Sequence, residues 1–188
     1  MMSVKLKTGI QYGIIALFFF LVGLILSPGS TPRKKIEKKL SYSRGRAQRL
    51  YNKWNTDELK FLQTGETFSS FANENDLFIL YFYATWCPHC ENIASAMNEL
   101  SLSAIPFAAI PFDTDKAVFE TETAKNPHYW RDIVRNSKEN DWDFLERSGT
   151  YNVPLIPSVW ILQRGKVVKI FIGEKGCAVQ LPEFLKNL

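Results

Sequence analysis

The sequence predicts an α/β domain, a mixed central sheet flanked by helices, behind one membrane-spanning helix. Three observations carry that reading. Ile10 to Leu26 (IQYGIIALFFFLVGLIL) holds no charged residue and no polar face. From about residue 59 onward, apolar runs of strand length alternate with stretches of helical spacing, as in a sheet covered by helices. The last two runs flank Arg164-Gly165, a turn signal that joins them as a hairpin.

Composition bounds the function. The chain has 188 residues, 46% apolar and 22% charged, which suits one globular domain with a modest surplus and excludes a disordered chain. Three cysteines exclude a disulfide-dense miniature fold. The net charge of +4 hides a split. Residues 1–55 hold 11 Lys and Arg against one acid, Glu37, whereas residues 56–188 hold 12 against 18. The folded part is therefore acidic, which argues against a nucleic-acid partner, because nucleic-acid binding needs positive charge on the folded face.

The elements follow in order. Residues 1–9 carry Lys5 and Lys7 and read as a short cytoplasmic N-terminus. Residues 10–27 read as a transmembrane signal anchor. The 17 uncharged residues Ile10 to Leu26 would span about 25 Å as a helix, a marginal bilayer crossing that Gly9 and Ser27 can extend. Ser27-Pro28-Gly29-Ser30 is a poor cleavage site because Pro28 lies inside it, so an uncleaved anchor is favoured. Residues 28–58 form a basic linker with eight Lys and Arg between Arg33 and Arg49, suited to a solvated spacer or to anionic headgroups. The domain is expected over 59–188. Lys60–Leu62 reads as a first strand, and Glu66–Asn75 as a helix burying Phe68 and Phe71. Leu77–Ala84 (LFILYFYA) reads as a strand buried on both faces. A helix with Ile93, Met97 and Leu100 on one face follows, then a strand within Ala104–Phe112. An insert of about 116–148 is expected to be helical, with Tyr129, Trp130, Ile133 and Val134 on one face after Asn126-Pro127. It would be a packed surface helix or a partner-selecting cap. Strands Ser158–Gln163 and Lys166–Ile172 and an amphipathic helix Leu181–Leu188 end the chain.

The chemistry concentrates in Cys87-Pro88-His89-Cys90, between a buried strand and a helix. Two thiols at this spacing can close a small disulfide ring. At a helix N-terminus, unpaired backbone N–H groups and the helix dipole favour the Cys87 thiolate. Pro88 suits the first helical turn, where its missing N–H costs nothing. His89 can donate a hydrogen bond or, protonated, add positive charge near that thiolate. Both effects stabilise the dithiol and make the disulfide more oxidising. Metal binding is the weaker reading. Structural zinc takes two ligand pairs at similar spacing, and only Cys177 and His128 remain, unpaired in pattern. Haem attachment needs His after the second Cys, and residue 91 is Glu.

Trp86-Cys87-Pro88-His89-Cys90 after an apolar strand resembles the active site of the thioredoxin superfamily. Tyr151-Asn152-Val153 and Ile156-Pro157-Ser158 resemble the stretch in which that family carries a cis-proline. LQRGKVVKIFIG followed by LPEFLKNL is similar to its final hairpin and helix. The Pro-His dipeptide is like that of the DsbA oxidases, and the anchor plus compact domain is like the tethered TlpA and ResA group. The resemblance implies a thioredoxin fold and a thiol–disulfide oxidoreductase with no organic cofactor and no metal. Its partners would be protein thiols or disulfides and a membrane or soluble redox partner. It implies Cys87 as nucleophile and Cys90 as resolving thiol, with Trp86 shielding the site. Pro157 would be cis, and Ile156 would offer backbone hydrogen bonds to a substrate strand. One departure stands out. The buried acid that assists the resolving Cys in that family is replaced by Tyr81, six residues before Cys87, with Glu91 or Glu74 as candidate substitutes. Cys177 reads as an idle buried thiol or a site of intermolecular pairing.

The reading from another class is a non-enzymatic thioredoxin-like module that holds a metal or a partner in an envelope secretion or conjugation assembly. Sidedness pits two arguments against each other. The basic linker favours a cytoplasmic domain by the positive-inside rule. The oxidising Pro-His motif, with Lys5 and Lys7 already holding the N-terminus inside, favours a single-pass protein of the inner membrane with its domain on the periplasmic or exported side.

Overall fold

A computed structural model describes residues 44–135, 153 and 155–188. The apolar segment 10–27 lies outside the described residues, as do residues 136–148 of the insert. Among the described residues no helix is long and apolar enough to cross a membrane.

Helix α1 (residues 44–51) leads into β1 (Leu59–Phe61), α2 (Phe68–Glu74) and β2 (Leu77–Tyr83). Then come α3 (Pro88–Asn92), α4 (Ala94–Ser101), β3 (Phe107–Pro111), α5 (Lys116–Lys125) and β4 (Arg131–Arg135). After the undescribed stretch follow β5 (Ser158–Gln163), β6 (Lys166–Ile172), α6 (Gly173–Lys175), a π-helical turn (Gly176–Gln180) and α7 (Leu181–Leu185). The six strands form one mixed sheet in the order β1-β4-β3-β2-β5-β6. β2 and β3 are parallel, as are β3 and β4, while β5 runs antiparallel to both β2 and β6.

Local chemistry explains most boundaries. The Thr67 side chain accepts from Ser70 N at 3.2 Å and caps α2, whose Phe68 and Phe71 pack against Phe61 and Phe78. β2 is buried along nearly its whole length, as its unbroken apolar run requires in a central strand. Asp115 accepts from Ala117 N and Val118 N and starts α5. Arg164 and Gly165 both take positive φ, 50° and 69°, as a two-residue hairpin turn demands.

Two findings depart from the sequence reading. The insert was expected to continue as a helix carrying Tyr129, Trp130, Ile133 and Val134, but Arg131–Arg135 is a strand. Asn126-Pro127 ends α5, and β4 slots between β1 and β3, which would otherwise lie unpaired along those edges. Its Ile133 is fully buried and Trp130 nearly so, whereas Tyr129 is exposed. Within the segment read as linker, residues 44–54 pack onto the domain. Ala47 and Trp54 are buried, and Trp54 stacks on the core Trp160 at 5.8 Å and 17°. The Gln48 amide accepts from Val167 N at 2.6 Å and donates to Gly165 O at 3.1 Å, tying α1 to the β5–β6 turn.

Candidate active site

Cys87 is the N-cap of α3, just beyond the C-terminal end of β2, and Pro88 occupies the first turn of that helix. Cys90 N and Glu91 N both donate to Cys87 O, at 2.9 and 3.1 Å, which winds the turn that brings the two sulfurs together. The loop before it is clamped from β3. Thr85 N donates to both Asp113 carboxylate oxygens at 3.2 and 3.1 Å, and the Thr85 hydroxyl bonds the same group. Asp113 is buried, so this clamp is shielded from water.

Both cysteines are buried: Cys87 is 5% exposed and Cys90 4%. The two thiols are not distinguished by exposure. They are distinguished by environment. Burial, then a hydrogen bond with the Cys87 sulfur, push the Cys90 thiol well above the ordinary range, so it holds its proton. The Tyr81 hydroxyl also hydrogen-bonds Cys90 and pulls the other way. Tyr81 cannot act as the base the sequence lacks there, because burial raises its own phenol far above its ordinary value. Cys177 is fully buried, with its thiol raised to about 12 by burial.

The remaining expected site residues fall around the pair. Trp86 is 56% exposed, and Pro88 and His89 are exposed beside it. His89 Nδ1 lies 3.1 Å from Glu174 Oε2, and Asn92 Nδ2 donates to the same carboxylate at 3.4 Å. The Ile156–Pro157 bond is cis, as expected. Pairing of Phe82 with Ser158 sets Pro157 next to the end of β2 that leads to Cys87. Pro157 O accepts from Gly173 N at 2.7 Å, joining this stretch to the start of α6 that also carries Glu174. Leu155 is exposed and Ile156 half-buried at the rim.

A second group of residues was not anticipated. A cleft of about 450 Å³ runs behind Cys90, lined among others by Tyr81, Tyr83, Glu122, His128 and Trp130. Behind two of these lining residues Asp132, fully buried, accepts from Tyr83 Oη at 2.9 Å and sits 2.7 Å from His128 Nε2. Gln63 completes the set, donating to Asp132 Oδ2 at 3.2 Å and accepting from Asp132 N at 3.0 Å. The one sequence signal was the spacing of His128 and Asp132, four apart around Tyr129 and Trp130.

This architecture, with a Cys-x-x-Cys pair at the junction of a central strand and the following helix, is a thioredoxin fold. The thioredoxin family model matches residues 60–126. The chain is 36% identical over 72 residues to protein disulfide-isomerase A4 of Bos taurus, covering 36% of this chain and 11% of that protein. A thioredoxin-like protein of Haemophilus influenzae is 23% identical, over 58% of this chain and 62% of its own length. The chain thus spans only about a tenth of the curated isomerase it matches. Among solved structures, StoA from Bacillus subtilis superposes with a TM-score of 0.51 at 22% identity, covering 68% of this chain and 93% of that one. A putative thiol:disulfide interchange protein DsbE from Chlorobium tepidum gives 0.55 at 18% identity, covering 69% and 89%. At these identities the superpositions establish the fold.

Proposed function

We propose that the chain is a membrane-tethered protein thiol–disulfide oxidoreductase, exchanging disulfides with protein partners through Cys87 and Cys90. The observation that carries this is the asymmetric thiol pair. Cys87 caps α3, while Cys90 keeps its proton under burial and the hydrogen bond with Cys87. Cys87 is then the sulfur that attacks, and Cys90 the one that resolves the mixed disulfide. Exposed Trp86, Leu155 and the rim formed by Ile156 and Pro157 give a partner strand a surface beside the sulfurs. No organic cofactor is required, since the partner supplies or takes the electron pair.

Titration of the chain against graded thiol–disulfide buffers tests the reading. A reversible two-electron transition that disappears in Cys87→Ser supports it, and Cys90→Ser should accumulate mixed disulfides. Stoichiometric metal binding with no such transition would favour a non-enzymatic module instead. The tether is proposed as Ile10–Leu26, with the domain on the exported face of the cell membrane. Lys5 and Lys7 on the inner side and the oxidising Pro-His dipeptide support that placement against the basic linker. Reporters that work on only one side of a membrane, fused after Leu188, decide it. Activity of the cytoplasmic reporter alone would overturn the placement.

A further inference from the structure

Resolution of a mixed disulfide requires Cys90 to lose its proton, and the reverse reaction requires it to regain one. Burial makes the first step unfavourable at neutral pH. Tyr81 donates to Cys90 and cannot take the proton. We infer that His128, held by Asp132, is the proton-exchanging group for the Cys90 sulfur, acting through water in the cleft that both line. The inference rests on the dithiol reading above.

The geometry selects His128 from the groups facing the cleft. From β2 come Tyr81 and Tyr83, and Tyr83 spends its hydroxyl on Asp132. From α3 comes Glu91, an exposed side chain at the rim. From α5 come Glu122 and Lys125, which pair with each other at 2.7 Å. His128 is different. Its side chain is 9% exposed and stacks on Trp130 at 4.3 Å and 13°, which fixes the ring. The fully buried Asp132 accepts from Nε2 at 2.7 Å, which selects the tautomer with Nδ1 as the nitrogen that takes up a proton. A cleft of about 450 Å³ has room for several waters, each needing ~30 Å³.

The step balances. With a partner joined to Cys87 by a disulfide, the Cys90 proton passes through water to His128 Nδ1. The Cys90 thiolate attacks the Cys87 sulfur, the Cys87–Cys90 bond forms, and the bond to the partner breaks. The partner leaves as a thiolate that takes a proton from solvent. The dithiol is oxidised by two electrons and the partner disulfide reduced by the same two. In the opposite direction the imidazolium returns the proton to the departing Cys90 thiolate.

The test uses the full reduced chain and 5,5′-dithiobis(2-nitrobenzoate). Attack by Cys87 releases the first chromophore, and attack by Cys90 on the mixed disulfide releases the second. His128→Gln should slow the second release roughly a hundredfold at neutral pH, the usual scale of a lost general base. It should also make that rate proportional to hydroxide, while the first release stays as it was and reports an intact Cys87. A variant with the wild-type second rate and pH profile overturns the inference. One arm needs no variant. In the unaltered chain the second rate should level off across the pH range in which the His128 ring titrates by NMR, and a rise straight through that range overturns it. Release of the first chromophore without the second would instead overturn the dithiol reading, and the inference with it.

Discussion

Tyr81 stands where a buried carboxylate was looked for, and its hydroxyl does a different job. It donates to Cys90 and so favours that sulfur's thiolate, while its ring stacks on Tyr83 at 5.1 Å and 9°. Tyr81→Phe keeps the ring and removes only the donor. One hydrogen bond is worth about 1 kcal/mol, so the second chromophore release should slow about fivefold, with unfolding free energy changed by a similar small amount. Stopped-flow release and urea melts check the two halves. Glu174 shapes the other sulfur. Its carboxylate lies beside His89 and, whenever that imidazole carries a proton, offsets the positive charge. Glu174→Gln removes the offset and should make the disulfide more oxidising. The side chains are 66% and 45% exposed, so solvent screens the pair and the shift should be only about 10 mV. Equilibration with glutathione buffers measures it, and a shift toward more negative potential would refute the role given to Glu174.

Strand β4 is where reading by element succeeded least. Ile133→Ala should cost about 2–4 kcal/mol, because the side chain is fully buried between neighbouring strands. On a surface helix the same change would cost under about 0.5 kcal/mol, so a urea midpoint separates the two pictures. The reason for the miss is physical. Residues 129, 130, 133 and 134 fit a helical face, and although Tyr, Trp, Ile and Val also favour strands, their spacing outweighs that propensity in a sequence reading. Pairing with β1 and β3 decides the matter, and those partners are far away in sequence. By contrast β2, the cysteine-bearing helix start and the β5–β6 hairpin were legible, since an unbroken apolar run, Pro88 and Arg164-Gly165 are local signals. The Asp113 clamp and the Glu174 contact were not, because each joins segments whose meeting only the fold creates, and the cleft that sets His128 behind Cys90 is likewise made by the fold although His128 and Asp132 are close in sequence.

At the scale of the molecule, buried acidic protons set the response to alkali. Tyr81, Tyr83, Cys90 and Cys177 all have raised values in the folded state, as does the less buried Tyr51. A group raised on folding keeps its proton longer than in the unfolded chain, so its stabilisation is complete below the unfolded value and is lost as pH climbs toward the folded one. For Cys177 that window runs from 9.0 to about 12. Stability should therefore fall across it, by about 1.4 kcal/mol per pH unit for each group titrating in the unfolded chain alone. Cys177→Ala should flatten the slope by about one such share, as read from urea melts at a series of pH values. An unchanged slope would mean that Cys177 is not protected. The docking of α1 bears on a different matter. Gln48 grips the turn beyond Gln163, and Gln163 pairs with Leu77 at the start of β2, whereas Cys87 follows its far end. The strand is seven residues long, so about 20 Å separates those two poles. The described chain thus enters the domain at the end opposite the sulfurs. A handle placed there would leave the front face clear for an approaching protein.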